Sequence, residues 1–264
     1  MGYVFQFEDA LRYDAWLASG PGRTAVAVEK DLLQHLWAPG APQSVLEVGC
    51  GTGLFLEWFA GGGHQVTGLD PSPYMLNLAH SKVPPRVGLD RGYAEDLPYE
   101  DNAFDTVALI TTLEFVNDPF HTIEEALRVA RRHVLLGVLN QYSPATWQHC
   151  LKRLWKPSIY SHARFFSVFS LRNMITKALG GPVPLQWRTT TLSPFRPFPH
   201  VRLPDRFRLL QRLPFGHFIA MRIDQCYPLR TVQQPIFHEI HSSVGQAHFR
   251  TLCRRDSKQE TPID

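Results

Sequence analysis

Residues 45–53 constrain most strongly what this chain can fold into. They read Val-Leu-Glu-Val-Gly-Cys-Gly-Thr-Gly, an apolar strand that runs directly into a glycine-rich turn. Glycine has no Cβ atom, so Gly49, Gly51 and Gly53 can adopt left-handed backbone angles and let a ligand approach the main chain. A helix predicted over about 52–60 would point its positive end and free N–H groups at the same place, which favours an anionic group such as a carboxylate. The sequence therefore predicts a ligand-binding strand, turn and helix.

Strands and helices alternate along the rest of the chain, which is typical of a parallel sheet covered on both faces. The predicted strands are 44–48, 65–69, 87–92, 104–110, 132–139, 183–192 and 216–223. The predicted helices are 24–38, 52–60, 72–82, 119–131 and 171–179, the last capped by Ser170. With 264 residues and a hydrophobic content of 44%, the chain can bury a substantial core. We expect an α/β fold with a mostly parallel, seven-stranded sheet whose last strand is antiparallel.

The spacing of the glycines separates the ligand classes that use such a turn. The dinucleotide fingerprint requires Gly-x-Gly-x-x-Gly/Ala, and starting it at Gly49 puts Leu54 where the third small residue should pack helix against strand. The chain has instead an acid, Glu47, followed by glycines at every second position. The sequence also lacks a Gly-x-x-x-x-Gly-Lys-Ser/Thr phosphate loop, which disfavours a nucleotide triphosphatase.

This pattern resembles the first motif of class I S-adenosylmethionine-dependent methyltransferases, and three later segments resemble the family in order. They are residues 66–72, a strand that ends in an acid; 93–105, the third segment; and 113–119, which follows the fourth strand. The resemblance covers about residues 40–223 and is closest to the methyltransferase type 11 group, with its ubiquinone and menaquinone C-methyltransferases. It implies a Rossmann-like fold, S-adenosylmethionine as cofactor, and methyl transfer to a small aromatic or apolar acceptor.

The resemblance also implies which residues hold the cofactor. The glycine turn would receive its methionine end, while Glu47 would help to place that end or would only bond N–H groups of the loop. Asp70 follows Glu47 by 23 residues, close to the offset of ~20 at which an acid meets ribose hydroxyls in nucleotide-binding units; the alternative is a helix cap. The predicted cofactor-binding residues are Glu47, Gly49, Cys50, Gly51, Gly53, Asp70, Pro71, Ala94, Glu95 and Thr111.

The chain departs from the family at Tyr93, where many members carry an aspartate that accepts from the adenine amino group. A tyrosine can stack on a base or offer its hydroxyl, but it is a weaker fixed acceptor. We therefore expect the adenine contacts to shift to Ala94 and Glu95.

Acceptor residues are expected beyond the carboxyl ends of the strands, where open parallel sheets bind ligands. Glu114 is the predicted catalytic base, with a bond to a backbone loop as the alternative. Tyr13 and Trp16 belong to a leader that resembles one closing over the cofactor in some small-molecule methyltransferases, or they dock on the core. The predicted substrate pocket consists of Tyr13, Trp16, Asn140, Tyr142 and Phe166.

Three regions are predicted along the chain: an N-terminal helical cap over 1–39, a cofactor-binding domain over 40–224, and a C-terminal tail over 225–264. An insertion over 193–215, rich in proline and arginine, would lie near the substrate mouth. Its arginines leave open a tRNA or protein methyltransferase, and Tyr93 leaves open a non-catalytic cofactor-binding protein. A nucleic-acid partner is disfavoured because the formal charge is only +3 and the sequence has no run of five or six like charges.

Cysteine usage and hydropathy predict a cytoplasmic protein with no membrane span. The four cysteines are scattered without a Cys-x-x-Cys pair, and the longest apolar runs are far short of the ~20 residues that cross a bilayer. His238 and His241 in the tail are one residue short of a His-Glu-x-x-His motif, so no metal site is predicted. The oligomeric state is not predicted.

Overall fold

The computed structural model describes residues 2–143, 163–190 and 211–225 of the protein, which all belong to one unit, residues 1–225. Their strands are β1 (Ser44–Val48), β2 (Gln65–Asp70), β3 (Gly88–Arg91), β4 (Phe104–Ile110), β5 (Ala130–Leu139), β6 (Leu185–Thr189) and β7 (Phe218–Asp224). Their helices are α1 (Phe7–Ala18), α2 (Gly20–Leu36), α3 (Leu54–Gly61), α4 (Pro73–Lys82), α5 (Pro119–Val129) and α6 (Val168–Ala178).

The seven strands form a single sheet in the order β3-β2-β1-β4-β5-β7-β6. Strands β1 to β5 pair in parallel, whereas β7 runs antiparallel to both β5 and β6. The predicted fold class, a mostly parallel seven-stranded sheet with helices, is confirmed. Because β1, β2, β4 and β5 are parallel, their carboxyl ends and the loops after them meet at one edge of the sheet.

Two hydrophobic clusters cover the two faces of the sheet, and the alternation of side chains along each strand divides residues between them. On β4, Val107 and Leu109 belong to the cluster that contains α5 and α6. Ala108 and Ile110 belong to the other cluster, together with apolar side chains of α2 and α3. Helices on both faces explain why the central strands read as continuous apolar runs. Among the described residues, none of the helices has the length and apolarity needed to span a bilayer.

Three helices differ from the sequence-based expectation. Helix α1 lies within the predicted helical cap but had no predicted bounds, and only Ala10 and Leu17 of its residues are buried. Helix α2 begins at Gly20, four residues earlier than predicted, where the Ser19 hydroxyl accepts from the Gly22 N–H. Helix α6 begins at Val168, and its cap is Ser167 rather than Ser170. The Ser167 hydroxyl accepts from the Ser170 N–H at 3.0 Å, and the Ser170 hydroxyl accepts from the Ser167 N–H at 2.9 Å. This reciprocal capping box moves the start of the helix one turn earlier.

We predict that Gly137→Ala destabilises the protein, because β5 passes closely under the ring of Phe218. A Cβ atom on Gly137 would lie 2.5 Å from Phe218 Cζ and 3.1 Å from Ile110 Cγ2, in a fully packed part of the core. Such overpacking costs about 1–3 kcal/mol of the free energy of unfolding, which urea denaturation measures. Gly181→Ala is the matched control, since nothing lies within 4 Å of its Cβ position. Equal stability of the two variants would contradict the close packing.

Candidate cofactor and acceptor site

A cavity opens at the edge of the sheet where the carboxyl ends of β2, β1, β4 and β5 meet. Its wall comes from the loops after these strands, from α1 and α2, and from the N-terminal residues 2–5. The structure brings together in this wall many of the residues singled out from the sequence: Tyr13, Trp16, Gly49, Gly51, Asp70, Pro71, Ala94, Glu95 and Thr111. These residues are spread over about a hundred positions of the sequence, and they meet because the strand ends that carry most of them lie at one edge of the sheet.

The glycine turn after β1 leaves an open cradle in the cavity. The N–H groups of Gly49 and Cys50 both donate to the Leu69 carbonyl, at 2.7 and 3.1 Å, and so fix the turn against the end of β2. Gly49 and Gly51 have φ of 72° and 52°, angles that favour glycine. A Cβ atom on Gly51 would meet nothing nearer than Tyr13 Cε1 at 4.0 Å, so the main chain there is accessible to a ligand. This cradle fits the methionine end of the predicted cofactor.

Asp70 lies at the tip of β2 with its carboxylate in the cavity wall. Its Oδ2 accepts from the Gly51 N–H at 2.9 Å and its Oδ1 from the Ser72 N–H at 2.8 Å. Burial raises the pKa of Asp70, and these two backbone bonds act in the opposite direction. Each carboxylate oxygen has two lone pairs, so both can still accept from a vicinal diol. The helix cap is another residue, because the Ser72 hydroxyl accepts from the Met75 N–H and caps α4.

Glu47, the acid of the first motif, lies behind the turn and outside the cavity wall. It is 1% exposed, and its Oε2 has no hydrogen-bond partner among the described residues. Burial, followed by the charge of Asp70, raises its pKa well above the ordinary value, while Lys30 and the main chain at Leu56 in the first turn of α3 lower it. Glu47 thus lies near the main chain at the start of α3, and its contact with the cofactor stays a prediction.

Cys50 and Gly53 also lie outside the wall, although they belong to the same turn. The side chain of Cys50 packs in the hydrophobic cluster of α2 and α3, and burial raises the pKa of its thiol. Gly53 has φ 84° and forms the start of α3. A Cβ atom there would lie 2.8 Å from Val83 Cγ1 and 3.2 Å from Ala79 Cβ, so this glycine serves the packing of α4.

At the far end of the cavity, Ala94 and Glu95 line the wall beside Tyr93, which is 43% exposed. The Glu95 side chain is held by the Asn117 N–H, which donates to its Oε1 at 2.7 Å. Tyr93, Ala94 and Glu95 all line the cavity, and the shift of the adenine contacts to Ala94 and Glu95 stays a prediction.

Thr111 marks the end of β4 in the middle of the wall. It adopts φ 52°, a left-handed angle that is rare for a β-branched residue. The neighbouring Thr112 donates through its hydroxyl to the Val48 carbonyl at 2.7 Å, and its side chain occupies the space that a Cβ atom on Gly49 would need. The strained turn after β4 therefore fits directly against the glycine turn after β1.

The N-terminal residues 2–5 line the cavity, which the sequence did not predict. The Tyr3 N–H donates to the Phe115 carbonyl at 2.8 Å, and the Ser72 hydroxyl donates to the Phe5 carbonyl at 2.6 Å. The Phe5 ring packs edge-on against Phe115 and Tyr13, with centroids 5.0 and 6.3 Å apart. This segment adds aromatic side chains to the wall of the site.

Glu114, the predicted base, lies outside the wall and is 1% exposed. Its Oε1 accepts from the Leu139 N–H at 2.7 Å, and burial raises its pKa to about 8. The carboxyl group therefore binds the backbone at the end of β5, which is the alternative that the sequence left open. A catalytic role for Glu114 stays a prediction without a contact to the cavity.

The other acceptor residues, Asn140, Tyr142 and Phe166, lie outside the wall as well. The buried Asn140 amide donates to the carbonyls of Pro214 and Gly216 at 2.8 and 2.7 Å, which shapes the loop before β7. Phe166 packs in the cluster of α5 and α6, whereas Tyr142 is exposed. Asn140 thus acts on the wall indirectly, because the loop that it binds carries His217 into the cavity.

Sequence reasoning missed two polar residues of the wall, Glu29 on α2 and His217 before β7. Glu29 is buried and occupies a position of the apolar stripe of α2, which continues with Leu32, Leu33 and Leu36. A charged residue at helical spacing within an apolar stripe is the signal that could have revealed it. No comparable pattern marks His217, whose place depends on the loop before β7.

Several predictions concern residues outside the described ranges. These residues are most of the insertion over 193–215 and the part of the tail after Gln225. The tail includes His238 and His241, which were considered as metal ligands. The domain boundaries stay predictions.

Comparison with known proteins agrees with this geometry. Residues 46–136 match the family model described as a methyltransferase domain. An uncharacterized methyltransferase of Mycobacterium tuberculosis is 36% identical over 101 residues, which are 38% of this chain and 41% of that protein. The demethylmenaquinone methyltransferase of Renibacterium salmoninarum is 38% identical over 89 residues, 34% of this chain and 37% of that protein. The chain thus spans between 37% and 62% of the length of the curated relatives it matches.

A crystal structure from Thermotoga maritima, described as an S-adenosylmethionine-dependent methyltransferase and possible histamine N-methyltransferase, has a TM-score of 0.62 and 24% identity. It covers 81% of this chain and 94% of its own, a likeness that concerns the fold alone. The family model, the named relatives and the sheet with its glycine turn all agree, and S-adenosylmethionine is the cofactor that they support. The match over residues 46–136 and the shared fold support a class I S-adenosylmethionine-dependent methyltransferase.

Proposed function

We propose that this protein transfers a methyl group from S-adenosylmethionine to a small-molecule acceptor. The observation that carries the proposal is the open main chain at Gly51, bonded through its N–H to a carboxylate, Asp70, that faces the same cavity. The aromatic side chains that residues 2–5 add to the wall of the site support a small acceptor. The scattered cysteines of the sequence support a reducing, cytoplasmic location.

When bound, the cofactor supplies a methyl group activated by a sulfonium leaving group. The residues of the chain would bind and align it: the glycine turn at the methionine end, Asp70 at the ribose hydroxyls, and Ala94 with Glu95 at the adenine. Phe5 and Tyr13 would exclude water, and their ring faces suit a positive charge. Alignment of acceptor and methyl group in a dry site supplies much of the rate enhancement in such a reaction, so no dedicated base is required.

We expect Asp70→Asn to weaken binding of S-adenosylhomocysteine about 10- to 100-fold, because the amide has one acceptor oxygen instead of two charged ones. Isothermal titration calorimetry measures the dissociation constant. When the concentration of S-adenosylhomocysteine is 100 times that constant, the wild-type protein should gain about 2.7 kcal/mol of stability, which appears as a raised melting temperature. Asp90→Asn is the control, since Asp90 lies on the neighbouring β3 outside the wall and accepts from the Tyr99 hydroxyl. Unchanged affinity in Asp70→Asn would remove Asp70 from the ribose site.

We expect Glu114→Gln to stabilise the protein increasingly as the pH rises from about 4.3 to about 8. Burial raises the pKa of Glu114 to about 8, above the value of about 4.3 for an unfolded chain. Between these values the folded state binds more protons than the unfolded state, so the contribution of Glu114 to the free energy of unfolding falls as pH rises. The glutamine keeps the acceptor for Leu139 and cannot ionise, so it should leave stability nearly unchanged at pH 5. At pH 9 it should add on the order of a few kcal/mol.

The pH dependence of urea denaturation, compared between wild type and Glu114→Gln, measures this difference. The exposed Glu100→Gln is the control and should follow the wild-type profile. Parallel profiles for wild type and Glu114→Gln would show that Glu114 is ionised in the folded protein throughout this range.

Incubation of the protein with a metabolite extract and S-adenosylmethionine carrying a labelled methyl group tests the reaction itself. We expect label in a low-molecular-weight product and accumulation of S-adenosylhomocysteine. Label in protein or RNA instead of small molecules would contradict the proposed acceptor class.

A further inference from the structure

Glu29 is a buried carboxyl group that faces the cavity without a partner. It is 8% exposed and lines the wall, yet no hydrogen bond or ion pair joins it to any residue in the described parts of the chain. Leaving a carboxylate in an apolar environment costs free energy unless a donor or cation meets it. A buried acid that is unpaired in the protein and open to a ligand cavity is therefore a binding group for the ligand.

The packing of α2 places Glu29 on the acceptor side of the cavity. Helix α2 packs against β7 and β6, and the Arg222 side chain of β7 donates to the Leu36 carbonyl at 2.7 Å. The wall near these strands contains Leu139, at the end of β5, and His217, before β7. Asp70 lies on β2, on the other side of β1 in the sheet order. Glu29 also contributes to the raised pKa of Glu114, whose carboxylate accepts from Leu139, so Glu29 belongs to the side of the site near the ends of β4 and β5.

The surroundings of Glu29 are apolar and offer it no fixed cation. Val26 and Phe55 line the same wall, and the stacked rings of Tyr13 and Trp16 add aromatic surface. Lys30, the neighbouring cation, donates instead to the Leu54 carbonyl at 3.3 Å and lies 5.6 Å from the centroid of the Phe55 ring. An incoming cation would find both a carboxylate and aromatic ring faces, which together favour an ammonium group.

We propose that Glu29 recognises the acceptor through a basic N–H group, so that the protein methylates the nitrogen of an amine with an apolar body. This inference rests on the proposed function, since it assigns the acceptor class of the same site. A carboxylate with two acceptor oxygens pairs with an ammonium group, whereas an alcohol or a quinone carries no charge to match it.

The same contact would prepare the nitrogen for reaction. The bound ammonium gives one proton to the Glu29 carboxylate, which frees the lone pair of the nitrogen. That lone pair forms the new N–C bond while the C–S bond breaks and its electron pair stays on sulfur. The product is an N-methylammonium ion, and Glu29 then loses its proton to water.

Burial raises the pKa of Glu29 to about 7, with Lys30 acting in the opposite direction, and this value suits a group that takes and releases a proton near neutral pH. Among the described residues, Glu114, Tyr13 and His217 are further titratable groups on this side of the site.

The test compares Glu29→Gln with wild type in the presence of saturating S-adenosylhomocysteine. The probes are benzylamine, phenethylamine, tryptamine and cyclohexylamine, each paired with the alcohol of the same skeleton. Calorimetry measures their binding, and labelled methyl transfer from S-adenosylmethionine measures turnover. We expect at least one amine to bind and to be methylated, its alcohol to bind about tenfold or more weakly, and Glu29→Gln to lose about 10- to 100-fold in amine affinity. Asp31→Asn, on the exposed side of the same helix, is the control and should behave as wild type.

Each other outcome overturns part of the inference in a distinguishable way. Failure of S-adenosylhomocysteine to bind wild type would refute the proposed function itself. Normal cofactor binding with no amine bound, or with amines and alcohols bound equally, would refute the amine class alone. An equal loss of S-adenosylhomocysteine affinity in Glu29→Gln would assign Glu29 to the amino group of the cofactor. A cooperative unfolding transition for Glu29→Gln at pH 5.5, like that of wild type, would show that any loss of binding is not a loss of folding.

Discussion

The hydrogen bond from the Gly51 N–H to Asp70 is the interaction on which the site depends. It joins the glycine turn after β1 to the tip of β2, while the Gly49 and Cys50 N–H groups bond the Leu69 carbonyl beside it. The turn can make these bonds only because its glycines adopt left-handed angles, and Gly49 also leaves room for Thr112. Each carboxylate oxygen of Asp70 accepts one backbone hydrogen bond and keeps a lone pair for a ligand. The same carboxylate can thus hold the turn in place and bind a ligand.

Three buried glutamates near this edge of the sheet carry the same carboxyl group in different surroundings. Glu47 lies near the first turn of α3, Glu114 accepts a hydrogen bond at the end of β5, and Glu29 makes no hydrogen bond in the described parts of the chain. Burial raises the pKa of all three. The difference is in their access to the cavity, which only Glu29 of the three lines. Hydrogen-bond partners and position, rather than residue type or motif membership, therefore separate the supporting acids from the one suited to meet an acceptor.

The sequence allowed prediction of all seven described strands, of the glycine turn after β1 and of the acid at the end of β2, because these features depend on local pattern. Buried strands read as apolar runs, and glycine spacing reports a turn directly. The residues on the acceptor side of the site were harder to predict from the sequence. Glu114 and Asn140 follow the right strands, but a polar residue at a strand end can turn toward the cavity or toward the backbone, and both turn toward the backbone. Their orientation depends on which neighbouring N–H or carbonyl group is left unpaired, and that is not a property of local sequence.

By itself, the sequence determined the α/β architecture, the glycine turn at the end of β1 and the acid at the end of β2, since each follows from residues close together in the chain. Only the tertiary structure decided which polar groups face the ligand. It places residues 2–5, Glu29 of α2 and His217 before β7 in the wall of the site. These groups come from segments that meet only when helix α2 packs on the sheet and the antiparallel strand β7 closes against β5, so their contact depends on long-range packing that no local pattern encodes.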